Sequence, residues 1–170
     1  MRQQTAEHRE AARRIWGHFA DPKLHSLMEA VPAPYVYPGD FLGQPHLEYR
    51  PHPDELPDPG EVVWAWVPYE EDFEIGKDRP VLVVGHDGPW LLGLMLTSKD
   101  HDRDKEEEAS HGRYWVDIGT GPWDQRGRSS EARVDRVIRL DPRHIRRPQG
   151  FKIEPHVFER VAAGVFQHRR

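Results

Sequence analysis

The sequence predicts a mainly β protein of the α+β kind, a small barrel or rolled sheet closed by one packing helix. Three observations lead there. From Gly60 to Leu140, short runs of β-branched and aromatic residues alternate with turn residues. After them Val157, Phe158, Val161, Ala162, Val165 and Phe166 mark one apolar face of a final helix. Short strands followed by one such helix bury their faces by rolling the sheet and packing the helix on it. No repeat of roughly 20–50 residues is present, which excludes solenoids and propellers.

The elements are expected in this order. Residues from Thr5 to about Val31 carry Ala11, Ala12, Ile15, Trp16, Phe19, Leu24, Leu27 and Met28 at helical spacing. Asp21-Pro22 divides them into two helices, with Asp21 as cap and Pro22 in the first turn. A Pro-rich passage follows, Val31 to Pro59, where fixed φ and missing donors disfavour regular structure. Its Tyr35, Tyr37, Phe41, Leu42 and Tyr49 suggest an extended strap lying on the domain. The domain division is therefore 1–58, a helical and Pro-rich extension, and 59–170, the barrel.

Within the barrel, residues 61–67 (Glu-Val-Val-Trp-Ala-Trp-Val) read as a buried strand and 69–78 as an acidic loop. Strands are expected at 80–85 and 90–96, with a turn at His86-Asp87-Gly88-Pro89 between them. Residues 100–112 are charged without an apolar period and read as a loop. Strands follow at 114–118 and 132–140, separated by a Gly-rich turn. Asp141-Pro142 opens a helical turn, and Glu154-Pro155 opens the last helix.

Composition narrows the function. There is no Cys, which removes disulfides and thiolate metal sites and fits a reducing, cytoplasmic setting. No apolar run reaches the length of a signal-peptide core or a membrane span, so no membrane role is expected. The net charge of −5 is unevenly spread: −3 over residues 1–58, −9 over 59–125 and +7 over 126–170. Such polarity can offer a basic face to a polyanion although the whole chain is acidic.

Three segments, in order, resemble the MazF/PemK toxin family. They are Pro59-Gly60-Glu61-Val62-Val63-Trp64, then Gly76-Lys77-Asp78-Arg79-Pro80-Val81-Leu82-Val83-Val84, then Leu96-Thr97-Ser98. A weaker fourth, Ser129 to Asp141, resembles the family's Arg-x-Asp-Gln segment. The resemblance implies an SH3-like small β-barrel, a homodimer, and an endoribonuclease that cuts single-stranded RNA without a metal or other cofactor and is silenced by a cognate antitoxin. It also implies site residues. Arg133 and Asp135 match an acid/base pair, and Arg79 and Thr97 match positions that act on the phosphate. Ser98, Lys99, Ser129 and Arg136 fall where substrate is held. Residues i and i+2 of a strand share a face, so Arg133 and Asp135 could meet one phosphate. Trp123, in a Gly-Pro turn, is the tryptophan placed to stack a base.

The chain departs from the family pattern in four places. It lacks the loop His found in some members, has Arg136 where Gln is usual, carries an acidic segment at 69–78, and adds residues 1–58. Plainer readings stand beside the functional ones. Arg79 could cap a strand or pair with Glu61 or Asp78, and Arg133–Asp135 could be an ordinary surface pair. His101 and His111 with Asp100, Asp102 and Asp104 read as a solvated loop rather than a metal site. The competing function is a catalytically silent module that binds nucleic acid or protein.

Overall fold

The computed structural model describes residues 30–52, 57–98, 105–146 and 151–168. The expected helices before Val31 lie outside those residues, as do Lys99 and the first part of the charged loop.

The described elements are β1 (Val31–Pro32), β2 (Val62–Tyr69), β3 (Asp72–Asp87), β4 (Trp90–Thr97), α1 (Lys105–Ser110), β5 (Trp115–Gly119), β6 (Ser130–Arg133), β7 (Ile138–Leu140), β8 (Ile145–Arg146) and α2 (Pro155–His168). A single 3-10 turn, Pro142–His144, precedes β8. The sheet is ordered β5-β6-β4-β3-β2-β8, with β1 added on β3 and β7 on β4, and every printed pairing is antiparallel. The expected mainly β, MazF-like fold with a C-terminal helix is present.

The chain divides into two compact units. Described residues up to Tyr37 join Trp66–Asp78 in the first, while Pro38–Ala65 and Arg79 onward make the second. Residues 38–58, grouped with the extension on sequence, belong to the second unit.

In the first unit, the segment expected as an acidic loop is instead strand. Tyr69 ends β2, Glu70-Glu71 turn, and β3 begins at Asp72. The acidic side chains occupy the turn and the exposed positions, while Ile75 and Gly76 are buried. Val31 pairs with Gly76 and Pro32 with Ile75. Gly76 is required there because a Cβ would run into the Val67 carbonyl and the Trp66 ring. Trp66 donates its indole N–H to the Val31 carbonyl at 2.9 Å, and Tyr35 and Tyr37 meet its ring edge-on.

The second unit holds the barrel core. Leu82, Val84, Leu92, Leu94 and Leu96 on β3 and β4 pack with Ala132, Val134 and Val137 and with Val157, Phe158, Val161 and Val165 of α2. Burying a Val, Leu or Phe contributes about 1.5–3 kcal/mol each, so this apolar cluster dominates the fold's stability. The β3–β4 ladder shifts register between Val83 and Gly85, and a Cβ on Gly85 would come within 2.7 Å of the His46 carbonyl oxygen. Pro155 opens α2 as expected, with Val157 and Phe158 donating to the Glu154 carbonyl. The Asp141 side chain caps the 3-10 turn by accepting from the Arg143 N–H at 2.9 Å.

Residues 105–110 of the charged segment are helical rather than loop. Glu106–Glu108 sit in the first turn, where carboxylates favour a helix start. Glu108 also accepts from Arg113 Nε at 2.7 Å and from the Trp115 indole at 3.0 Å, tying α1 to β5.

The Pro-rich passage is the expected strap. Phe41 forms an isolated antiparallel bridge to Val137, and Arg50 donates to the Pro59 carbonyl. Tyr49 donates its hydroxyl to the Ile153 carbonyl at 2.7 Å and packs its ring on Phe158. Burial, and then the Glu154 charge, raise the Tyr49 hydroxyl above its ordinary pKa, which keeps it a donor.

Candidate functional site

Strand pairing decides which side chains share a surface. Thr97 lies opposite Glu131 on β6, and Glu131 lies opposite Asp117 on β5. Directly paired residues project to one face, so Thr97, Glu131 and Asp117 form a row. One step along, Trp115 pairs with Arg133, which shares the face of Glu131 by its i+2 spacing. Leu96, Ala132 and Val116 alternate to the other side, where Leu96 and Ala132 are sealed in the core. Continuing the β3–β4 register two residues past Val81↔Met95 brings Arg79 beside Thr97.

Arg79, Thr97 and Ser98 are half-buried at this end of the sheet. Ser129 is exposed, and its hydroxyl donates to Asp117 Oδ1 at 3.1 Å. Glu131 is only 8% exposed. It was missed on sequence because it lies outside the motifs, and only its register opposite Thr97 reveals it.

Arg133 and Asp135 do come together. The guanidinium forks onto the carboxylate, with Nη2 at 2.8 Å and Nε at 3.1 Å from Oδ2. Asp135 Oδ1 also accepts the Tyr114 backbone N–H at 2.8 Å. The two side chains are 8% and 10% exposed, so this is a buried pair rather than the surface pair of the plain reading.

Arg136 stands apart from this row. Its guanidinium forks onto Asp40 of the strap at 2.8 and 3.2 Å and is 6% exposed. Arg139, on β7, binds Asp87 and the carbonyls of Gly39 and Asp40, and lies 5.5 Å over the Phe41 ring.

Trp123 is not on the surface. It is 4% exposed, packs in the core and donates its indole N–H to Ser130 Oγ at 3.0 Å. Its carbonyl accepts the Trp64 indole N–H. The turn folds inward because Gly121 leaves room against the ring that a Cβ would fill. Next to it, burial works against the charge of Asp124, yet the Arg126 N–H and the Arg128 guanidinium hold its carboxyl below the usual range.

Among the described residues no three His, Asp or Glu converge as metal ligands would. No described helix is long and apolar enough to cross a membrane.

Comparisons with known proteins follow the same lines. MazF from Deinococcus radiodurans, in one crystal form, matches with 20% identity and TM-score 0.47, covering 67% of this chain and 96% of that one. The MazE–MazF structure from the same organism gives 19% identity and TM-score 0.45, with the same coverage. No curated protein sequence matches. The family model of PemK-like, MazF-like toxins of type II toxin–antitoxin systems matches residues 58–168. That segment holds the Arg79 strand, Thr97 and the Arg133–Asp135 pair, and on this match the chain belongs to that toxin family.

Proposed function

We propose that this chain is the toxin of a toxin–antitoxin pair and acts as an endoribonuclease on single-stranded RNA. The observation that supports it best is the meeting of Arg79 and Thr97 at one end of the β3–β4 ladder, on the face that also carries Glu131 and Arg133. In-line attack of a ribose 2′-oxygen on the adjacent phosphorus needs three things: an acceptor for the 2′-OH proton, a donor for the departing 5′-oxygen, and positive charge on the phosphorane. The new bond joins the 2′-oxygen to phosphorus while the 5′-oxygen leaves with a proton. Arg79 supplies charge in a planar fork that fits phosphate oxygens. Thr97 and Ser98 hold the nucleotide, with Lys99 and Ser129 beside them. Asp135 takes the proton and Arg133 stabilises the phosphorane once their mutual fork opens. No resident metal or cofactor takes part. The protein works as a cytoplasmic homodimer, and the antitoxin that the family description implies is its inhibitor.

The test is cleavage of a labelled single-stranded RNA mixture in EDTA by wild type, Arg79→Ala and Asp135→Ala. Cutting that wild type performs and both folded variants lose supports the assignment; cutting that both variants retain removes it. A second reading, a silent binding module, is favoured by the burial of Arg133 and Asp135. RNA binding without cleavage by wild type would select it.

A further inference from the structure

The strap covers part of the basic C-terminal segment in an unusual way. Arg136 is not left to solvent: both arms of its guanidinium are taken by the Asp40 carboxylate, 96 residues away in sequence. Arg139 is taken by Asp87 and by the carbonyls of Gly39 and Asp40, with Phe41 under its face. A fork of this kind fits a carboxylate and a phosphate diester equally well in shape. From Arg133 to Arg139 the chain spans at most about 20 Å, so these guanidiniums lie along one short track.

The contact is also built to come away. Residues 40–42 are flanked by Gly39 at φ 102° and Gly43 at φ 90°, both with open space where a Cβ would stand. Glycines with such freedom absorb the backbone rotation of a hinge. Between them Leu42 is 82% exposed, and main-chain pairing to the barrel is the one bridge of Phe41 to Val137, with Phe41 N donating at 2.9 Å. Beyond Gly43 the strap is fastened separately, by His46 against Gly85, Tyr49 on Ile153 and Phe158, and Arg50 on Pro59. Residues 40–42 can therefore swing out while residues 46–50 stay in place.

We propose that residues 39–41 are a built-in brake on the ribonuclease site, in which the Asp40 carboxylate sits on Arg136 in place of an RNA phosphate. Binding of RNA along β7 exchanges one anion for another: Asp40 goes to water and a phosphodiester takes its place on Arg136. The exchange keeps the buried guanidinium paired throughout, which avoids the large cost of an uncompensated buried charge. The brake rests on the ribonuclease reading and regulates that same site.

The experiment locks the brake. The natural chain has no Cys, so Phe41→Cys with Val137→Cys gives a single possible disulfide. Facing residues of an antiparallel bridge lie within disulfide reach. The probe is a fluorescent single-stranded RNA with 2′-O-methyl riboses, which lacks the attacking hydroxyl and cannot be cut. Binding is measured on the full chain oxidised and then reduced, so each sample is its own folding control. The reduced protein is expected to bind roughly tenfold tighter or better, the scale of one charge-assisted phosphate contact. Asp40→Asn should bind tighter than wild type by a similar factor, and adding Arg136→Ala should cancel the gain. Equal affinity of oxidised and reduced forms, with the probe clearly bound, overturns the brake and leaves the ribonuclease reading standing. No binding by any form, Asp40→Asn included, overturns the ribonuclease reading and the brake with it.

Discussion

Thr97 on β4 and Glu131 on β6 are direct partners across an antiparallel ladder, and Glu131 is nearly sealed from solvent. Thr97 therefore presents its hydroxyl beside a buried carboxylate and, by register, beside Arg79. Replacing Thr97 by Val keeps the β-branched shape and removes only the hydroxyl. Cleavage is expected to fall about a hundredfold, the scale of one lost hydrogen-bond donor in a transition state, with little change in thermal stability. Single-turnover kinetics beside a melting curve checks this. An active Thr97→Val protein would take Thr97 out of the site.

Arg133→Ala leaves Asp135 buried without its guanidinium. The expected loss is about 3–5 kcal/mol, the range for breaking a buried ion pair from one side. Asp135→Ala should cost a similar amount, and the double variant less than the sum of the two. Urea unfolding of the three proteins measures the coupling directly. Strict additivity would mean that the fork contributes nothing to stability.

Asp141 gives a pH prediction. The Arg143 side chain, followed by the Arg143 N–H, holds its carboxyl down to about 2 from an ordinary 3.8, against the effect of burial. A group depressed in the folded state binds its proton more readily when unfolded. It therefore adds stability above pH 3.8 and loses it as the pH falls toward 2. The melting temperature of wild type should drop across that window, and that of Asp141→Asn should drop less. Parallel pH profiles for the two proteins would remove Asp141 as a contributor.

Trp123→Ala empties a core position and is expected to cost about 3–5 kcal/mol. Trp123→Phe should cost less, while losing the indole hydrogen bond to Ser130. A stacking role would instead show as weaker RNA binding by a Trp123→Phe protein of nearly unchanged stability. Denaturation and RNA titration of the same samples separate the two.

The legible parts of this chain were the ones written locally. Strands 61–67, 80–85 and 90–96 announce themselves by β-branched and aromatic content, and α2 by its apolar face and Glu154-Pro155. The Arg79-Pro80 strand and Thr97-Ser98 carried the family resemblance. What failed was written in three dimensions. The β2–β3 hairpin was hidden because its acidic side chains belong to exposed positions of paired strands, and only Ile75 and Gly76 betray the buried side. Glu131 has no motif of its own, and its place opposite Thr97 follows from register. Trp123 was misplaced because a Gly-Pro turn suggests the surface, whereas this turn tucks its ring under Gly121 and onto Ser130.

The distance along the chain between Asp40 and Arg136 has a consequence for the newborn protein. Ribosomes add about 5–20 residues per second, so Arg136 is made roughly 5–20 s after Asp40. Ile153, which receives the Tyr49 hydroxyl, comes later still. The strap leaves the ribosome before the surfaces it will fasten to exist, and must wait undocked. Contacts this far apart in sequence also close slowly once the chain is complete. During that interval each new molecule passes through a state in which its own fastening is not yet done, beside the very machine that is reading RNA.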